Sequence, residues 1–177
     1  MEHVMRGLRA VLAVLVFAGM ASASDAATSS LSSDANAAYL ADNAKKTGVV
    51  TRPSGLQYKI VHNGYGKRPL PTDMVTVYYT GFLINGTTFD GTEPGLPAQF
   101  KVTDLIPGWT EALELMREGD QWHIVIPSNL AYGARGAGSG TIPPNQTLVF
   151  DLTLITVTTP KEPEKKPEDT STGNQPD

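Results

Sequence analysis

Apolar and polar residues alternate through much of the middle of this chain, a pattern typical of half-buried β-strands. In one such stretch Val75, Val77 and Tyr79 recur at a spacing of two, so they lie on the same face of a strand. The dipeptide Asn85-Gly86 follows this stretch and predicts a tight hairpin, because both residues tolerate a positive φ. The pattern predicts strands over residues 56–61, 74–84, 87–90, 98–102, 121–126 and 147–157.

The pattern changes to a helical one over residues 107–116. Pro107 suits the first turn, where a backbone N–H would have no helical partner, and Gly119 follows the end. The apolar residues of one face recur at helical spacing: Trp109, Ala112, Leu113 and Met116. Many strands, one short helix and turns rich in glycine and proline predict an α+β fold, a curled antiparallel sheet wrapped around that helix.

The N-terminal segment has the layout of a secretory signal peptide. Arg6 and Arg9 form a basic region, and the apolar run at 10–18 is too short to span a bilayer as a helix. The small residues 21–23 form a cleavage site, so the mature chain is expected to begin near Ser24. An uncleaved membrane anchor is the alternative. A bacterial lipid anchor is excluded because the sequence has no cysteine to carry it.

The segments on either side of the central region are poor in residues that could form a core. Small and polar residues dominate 24–36, and a short helix is expected over 37–46, ended by Gly48. Prolines and charged residues dominate the C-terminal segment, which has no aromatic residue and is expected to be disordered. The predicted division is a signal peptide (1–23), a linker with a short helix (24–53), one domain (54–157) and a disordered tail (158–177).

Composition and charge exclude several classes of function. The formal net charge of −4 and the pI near 5.3 argue against nucleic acid as a partner. The three histidines, His3, His62 and His123, do not have the spacing of metal ligands. No phosphate-binding glycine loop and no nucleophile motif occur in the sequence, so we expect neither a metal nor a cofactor.

The most informative stretch of the sequence combines aromatic residues with a flexible loop near the end of the domain. Tyr132 precedes a glycine-rich loop, and Phe150 lies on the strand that follows it. Together with Tyr79, Phe89 and Trp109 upstream, these residues describe an apolar aromatic cup with a few polar tips. Such a cup suits a proline better than an ion, a phosphate or a nucleic acid.

Six short motifs in this order resemble the FKBP-type peptidyl-prolyl isomerases over residues 54–157. The motifs are Tyr79-Thr80-Gly81, Gly86 to Asp90, Ile106-Pro107-Gly108-Trp109, Leu130-Ala131-Tyr132-Gly133, Ile142-Pro143-Pro144 and Leu148-Val149-Phe150. The segment at 51–58 resembles the exported bacterial branch, the macrophage-infectivity-potentiator type. Members of that branch often carry a long N-terminal helical region that dimerises them. Fewer than about thirty residues separate the predicted signal from Thr51, so a monomer is expected here.

The resemblance implies a set of site residues. The catalytic set is Tyr79, Phe89, Asp90, Trp109, Tyr132 and Phe150, and the substrate-binding set is Phe100, Leu105, Ile106 and Ile142. Three features depart from the family pattern. Leu105 stands in place of the usual valine, Thr141 in place of a common isoleucine, and the loop 133–141 is one residue longer than in small cytosolic members. We expect these departures to change loop contacts and inhibitor affinity, but not the identity of the pocket.

The resemblance also implies a role for each site residue: together they hold the substrate while its X–Pro amide bond rotates. Trp109 would form the floor under the proline ring, while the Ile106 N–H and the Tyr132 hydroxyl would hold substrate carbonyls. Asp90 would orient the hydroxyl of Tyr79 without transferring a proton. From the pattern alone, core packing explains Trp109 equally well, and an Asx turn at the end of a hairpin strand explains Asp90.

The resemblance implies an enzyme that accelerates X–Pro isomerisation during the folding of exported proteins. The alternative is a proline-binding or holdase module that retains the cup without useful turnover, and a third interpretation is a virulence or surface factor with a host partner. The expected partners are proline-containing polypeptides and macrolide inhibitors of the rapamycin type, with no nucleic acid and no metal. The expected location is the periplasm, with the outer membrane or the cell surface as the alternatives.

Overall fold

The computed structural model describes residues 30–160, which form a sheet with two helices. The elements are, in chain order, α1 (Ser33–Asn43), β1 (Val49–Thr51), β2 (Gln57–His62), β3 (Met74–Leu83), β4 (Thr88–Gly91), β5 (Ala98–Lys101), α2 (Pro107–Leu115), β6 (Gln121–Ile126) and β7 (Leu148–Thr158). The strands pair antiparallel in the order β1-β2-β6-β7-β3-β4, and β5 pairs with the first residues of β3 on the same side as β4. The predicted α+β fold class is confirmed.

Hydrophobic periodicity places each of the six predicted strands and α2 to within one residue at both ends. β5 stops at Lys101 because a 3-10 turn, Val102–Asp104, follows it. β7 continues through Thr158, the first residue of the predicted tail. The predicted signal peptide and the remainder of the tail, 161–177, lie outside the described residues. Within the described range no helix combines the length and the apolar character needed to cross a membrane.

The core lies between α2 and the inner face of the curled sheet. β6 and β7 pair so that Ile124 lies opposite Phe150, and both side chains are buried. Gly108 lets α2 approach β6 closely, since a Cβ at that position would stand 2.4 Å from a side-chain carbon of Ile126. This close approach removes apolar surface from water, which is the main stabilising contribution to such a fold.

Helix α1 covers the outer face of the sheet. The Ser32 hydroxyl caps its N-terminus by accepting a hydrogen bond from the Ala35 N–H at 3.2 Å. Val125 and Val149 alternate with core-facing residues, so they point away from the core, yet they are only 0% and 5% exposed. The hydrogen bonds of α1 reach Gln57, which pairs with Val125, and Thr147, which immediately precedes β7, so α1 lies beside this valine pair.

Two buried asparagines hold α1 on the sheet. Asn36 Oδ1 accepts a hydrogen bond from the Thr147 N–H at 2.7 Å, and the Asn36 amide donates to Gln146 Oε1 at 3.2 Å. Asn43 donates from its amide to Gln57 Oε1 at 2.8 Å. Because neither asparagine is more than 5% exposed, these hydrogen bonds are shielded from water. These hydrogen bonds make the attachment of α1 specific.

This packing differs from the linker that the sequence predicts over residues 24–53. A helix is predicted at 37–46, whereas α1 begins four residues earlier and ends three residues earlier. Gly48, with φ of 82°, allows the turn that leads from α1 into β1. β1 pairs with β2 and is a strand that the periodicity does not predict. The folded unit therefore begins well before residue 54.

A buried carboxylate connects the loop before β3 with the end of β7. Asp73 is fully buried, and its Oδ2 accepts a hydrogen bond from the Leu70 N–H at 3.0 Å and lies 3.1 Å from Lys67 Nζ. The Lys67 ammonium also contacts the hydroxyl of Thr159, just beyond β7. Burial alone would raise the pKa of the Asp73 carboxyl, but the hydrogen bonds from Leu70, Thr159 and Lys67 hold it below its ordinary value.

Asp73→Asn is expected to lower the free energy of unfolding by about 1–2 kcal/mol at neutral pH. Because folding lowers the pKa of this carboxyl, its stabilisation is complete above the unfolded-state pKa of about 4 and is lost as the pH falls through the folded value. Urea unfolding measured from neutral to acid pH should show that the difference in the free energy of unfolding between the wild type and Asp73→Asn becomes smaller in acid. Asp42→Asn, at an exposed pair with Lys45, is the control. If this difference does not change with pH, the charge of the Asp73 carboxylate does not contribute to stability.

Candidate active site

An open cavity of about 260 Å³ lies between the sheet and the N-terminal end of α2. Aromatic side chains form most of its wall, and two carboxylates also border it. The lining residues are Tyr79, Phe89, Asp90, Phe100, Asp104, Leu105, Ile106, Trp109, Tyr132 and Phe150. The structure thus brings together nine of the ten site residues predicted from the sequence and adds Asp104.

The aromatic rings of the cavity interlock around Trp109, in the first turn of α2. Its indole meets three other rings edge to face, with centroid distances of 5.1 Å to Tyr79, 6.0 Å to Phe100 and 5.3 Å to Phe150. Phe89 meets Phe150 in the same way at 5.6 Å. Edge-to-face pairs of this kind stabilise by about 0.5–1.5 kcal/mol beyond the area they bury. The rings therefore hold one another in place, and the cavity is preformed.

A glycine on β3 lets two of these rings approach the strand. Gly81 pairs with Asp90 on one side and with Phe150 on the other. A Cβ at Gly81 would stand 2.7 Å from the Phe89 ring and 2.8 Å from the Phe150 ring. Any larger residue would push these rings toward the cavity, so the glycine of the Tyr79-Thr80-Gly81 motif is explained by space rather than by chemistry.

Tyr79 and Asp90 form a polar pair at the cavity. The Tyr79 hydroxyl donates a hydrogen bond to Asp90 Oδ2 at 2.7 Å, and Asp90 Oδ1 accepts one from the Gly91 N–H at 2.8 Å. Burial raises the pKa of the Tyr79 phenol, and the hydrogen bond to Asp90 raises it further. The phenol therefore stays protonated at neutral pH. In this arrangement Asp90 orients the Tyr79 hydroxyl, which is the role that the family resemblance implies for Asp90.

Two hydrogen-bond donors at the cavity have no acceptor within residues 30–160. One is the hydroxyl of Tyr132, a residue that is 42% exposed. The other is the N–H of Ile106, which immediately precedes α2. Burial raises the pKa of Tyr132, and the nearby charge of Asp90 adds to that effect, so the hydroxyl remains a donor at neutral pH. The cavity thus presents two free donors to the carbonyl groups of a ligand.

Ile142 is the predicted site residue that the structure does not place in the cavity lining. Its side chain is 6% exposed and packs in the core. Its backbone exchanges two hydrogen bonds with Ala137, at 2.9 and 3.1 Å, and so closes the loop on itself. Thr141, a departure from the family pattern, is exposed and donates from its hydroxyl to the Gly138 carbonyl at 2.8 Å. Thr141 therefore supports the turn of this loop.

Asp104 lines the cavity although the sequence does not single it out. It is the last residue of the 3-10 turn that follows β5. Periodicity carries no information through such a turn. The one usable signal is the position of Asp104 directly before Leu105 and Ile106, two residues that the family motif assigns to the pocket.

Comparison with protein families agrees with this geometry. A family model described as FKBP-type peptidyl-prolyl cis-trans isomerase matches residues 66–155. The chain belongs to the FKBP-type peptidyl-prolyl cis-trans isomerase family. A second model, described as the domain amino terminal to FKBP-type peptidyl-prolyl isomerase, matches residues 2–60. The FKBP-type resemblance inferred from the sequence motifs is confirmed.

Two relatives of this FKBP-type chain are bacterial proteins with names of the kind that the motifs indicate. Outer membrane protein MIP of Legionella longbeachae is 54% identical over 121 residues, which are 68% of this chain and 52% of that protein. The FKBP-type 22 kDa peptidyl-prolyl cis-trans isomerase of Escherichia coli is 52% identical over 120 residues, 67% of this chain and 58% of that protein. The chain spans about half the length of the curated relatives it matches.

A solved FKBP-type structure supports the fold independently. The crystal structure of a peptidyl-prolyl cis-trans isomerase from Pseudomonas syringae superposes with a TM-score of 0.66 at 38% identity, covering 71% of this chain and 92% of that one. The match of the N-terminal family model includes α1 and β1. The polar attachment of α1 to the sheet therefore belongs to a region that other FKBP-type proteins also carry.

Proposed function

We propose that this chain is a peptidyl-prolyl cis-trans isomerase that accelerates X–Pro isomerisation during the folding of exported proteins. The observation that carries the proposal is the preformed aromatic cavity over Trp109, with two free donors at Ile106 and Tyr132. A proline ring fits such a cavity, and the donors suit the carbonyl groups on either side of it. The names of the relatives support the same activity.

The proposed catalysis rests on differential binding of the twisted amide. The X–Pro bond resists rotation with a barrier of about 18–20 kcal/mol, because resonance gives it partial double-bond character. Twisting removes that resonance and lowers the polarity of the carbonyl, so water solvates the twisted form less well than the planar one. An apolar cavity therefore binds the twisted form relatively better, which lowers the barrier. In this mechanism no side chain forms a covalent bond with the substrate.

Each polar group has a proposed part in holding the peptide. The Ile106 N–H and the Tyr132 hydroxyl donate to substrate carbonyls, so that the peptide is fixed while one amide turns. Trp109 supports the proline ring from below. Asp90 keeps the Tyr79 hydroxyl in one orientation and transfers no proton. Phe89 and the other rings of the wall favour substrates with an apolar residue before the proline.

The proposed partners and location follow from the family and from the N-terminal sequence. Proline-containing polypeptides are the substrates, and macrolides of the rapamycin type are expected to compete for the same cavity. We propose export by the predicted signal peptide to the periplasm, with the outer membrane as an alternative; the name of one relative, Outer membrane protein MIP, supports that alternative. We also propose that the chain acts as a monomer.

The activity is tested by refolding a protein whose slow phase is limited by proline isomerisation. A catalytic amount of the purified chain should accelerate that phase, and rapamycin should remove the effect. If the slow phase is unchanged while aggregation of the refolding protein is suppressed, the chain is a holdase and the isomerase proposal is wrong. A chymotrypsin-coupled assay on short X–Pro peptides that differ only in the residue before proline measures the predicted preference for apolar side chains.

Tyr132→Phe is expected to lower kcat/KM by about three- to tenfold, the effect of losing one hydrogen bond to the substrate. The free energy of unfolding should hardly change, because the hydroxyl has no partner within residues 30–160 and the ring remains. Since the pKa of Tyr132 is raised, wild-type turnover should not fall with pH until well above neutrality. Equal turnover of the two proteins would show that this hydroxyl does not hold the substrate.

A further inference from the structure

A second cavity lies at the opposite end of α2 from the candidate active site. It has a volume of about 520 Å³, and we call it the distal cavity. Leu115, the last residue of α2, borders the distal cavity, whereas Trp109 borders the first one. These residues are six positions apart, so they are separated by about 9 Å along the helix axis. The two cavities share no lining residue.

The apolar part of the distal cavity is unusually open to solvent. Ile60 and Tyr65 line it and are 41% and 90% exposed, and the neighbouring Val61 is 59% exposed. The indole of Trp122 also lines it; this ring is buried and stacks on Tyr58 with centroids 4.3 Å apart. The Trp122 Nε1–H has no acceptor within residues 30–160. A cluster of exposed apolar side chains is typical of an interaction surface.

Two arginines at the distal cavity retain donors for a ligand. Arg68 and Arg117 each donate one hydrogen bond from the guanidinium to a backbone carbonyl, both at 3.3 Å. Neither forms an ion pair with a described residue. Asp120 is the carboxylate of the lining, but its oxygens accept from the N–H groups of Gly64 and Arg117. The nearby Glu118 is likewise engaged by backbone N–H groups. The guanidinium groups are therefore free to bind a carboxylate.

An open strand edge runs beside the distal cavity. β1 pairs with β2 only as far as Lys59, while β2 continues to His62. Within the described part of the chain, no strand covers the outer edge of Ile60 and Val61. An extended peptide can pair with such an edge and place alternate side chains into a neighbouring pocket.

We propose that the distal cavity binds an extended polypeptide segment in which an apolar side chain stands next to a carboxylate. The strand edge at Ile60 and Val61 favours a polypeptide over a small molecule. The apolar wall and the Asp120 carboxylate disfavour a phosphate group. Such a site would give the chain a second contact with an unfolded protein, and this contact would not require a proline. It does not depend on the proposed isomerase activity, which uses none of these residues, so either proposal can fail without the other.

The experiment uses the full chain and the fluorescence of Trp122. The sequence has two tryptophans, so Trp109→Phe leaves Trp122 as the sole indole, at the distal cavity. The probe is a short, proline-free, end-capped peptide with phenylalanine followed by glutamate between threonines. Saturable change of Trp122 emission is expected, and an X–Pro peptide should not reverse it. If Trp109→Phe does not fold, anisotropy of the fluorescein-labelled probe with the unmodified chain measures the same Kd.

Matched charge variants decide whether the arginines hold the carboxylate. Arg68→Gln with Arg117→Gln should weaken binding of the glutamate probe about three- to tenfold, as expected for two exposed charge contacts, and leave turnover unchanged. Lys45→Gln with Lys101→Gln removes the same charge elsewhere and should have no effect on binding. A control peptide with lysine in place of glutamate should bind the wild type more weakly. The proposal is wrong if the glutamate probe shows no saturable binding or if both peptides bind with equal affinity. It is also wrong if both double variants lose the same affinity for the probe, or if the X–Pro peptide displaces it.

Discussion

Trp109→Leu is expected to lower isomerase turnover by at least about tenfold and the free energy of unfolding by about 3 kcal/mol. The indole makes edge-to-face contacts with three rings of the cavity, and it is the residue proposed to support the proline ring. A leucine leaves a gap in both the core and the cavity floor. Turnover is measured per folded molecule on an X–Pro peptide, and stability by urea unfolding.

Trp122→Leu is the matched control for this change. The two tryptophans are about equally buried, at 4% and 3% exposed, but Trp122 borders the distal cavity and not the active one. Trp122→Leu should therefore destabilise the fold by a comparable amount while turnover per folded molecule stays unchanged. If both variants lower turnover to the same degree, Trp109 acts through general core packing, and its role under the proline is wrong.

The sheet and α2 can be predicted from sequence because their apolar residues recur at the period of a strand or of a helix. A helix is expected from the sequence near α1, but its bounds and its packing on the sheet cannot be predicted in this way. Its buried residues are Asn36 and Asn43, which any hydrophobic pattern counts as exposed. Their partners, Gln146 and Gln57, lie far away or beyond a turn in the chain, and no local rule connects such pairs. β1 escapes prediction because a strand of three residues is too short to show a period.

The candidate site follows from family motifs more than from periodicity. Trp109 and Phe150 each occupy a core-facing position and are 4% exposed, yet both line the cavity, so burial alone does not separate the two roles. Ile142 lies in the core instead of the predicted cavity lining because its backbone is hydrogen-bonded to Ala137 across the loop. That closure requires Gly136 at φ of 65°, where a Cβ would stand 2.3 Å from the Ile142 carbonyl oxygen. A motif match does not reveal such backbone packing.

Asn36→Ala is expected to lower the free energy of unfolding by about 2–3 kcal/mol, because it leaves buried polar groups without partners. The Thr147 N–H would lose its acceptor at 2.7 Å, and Gln146 Oε1 would lose its donor at 3.2 Å. Helix α1 would then be held mainly through Asn43 and Gln57. Urea unfolding of the full chain measures the loss. Amide hydrogen exchange should accelerate in α1 more than in α2.

Two further variants separate the hydrogen bonds of Asn36 from the mere loss of an amide. Asn36→Asp keeps an oxygen for the Thr147 N–H but turns a second carboxylate oxygen toward Gln146 Oε1 and two backbone carbonyls, so it should destabilise at least as much as Asn36→Ala at neutral pH. Asn129→Ala removes an exposed asparagine that lines a surface groove together with Asn36, and it should have little effect. If Asn36→Ala costs no more than Asn129→Ala, α1 contributes no specific attachment, and the linker expected from the sequence is the better description of residues 33–43.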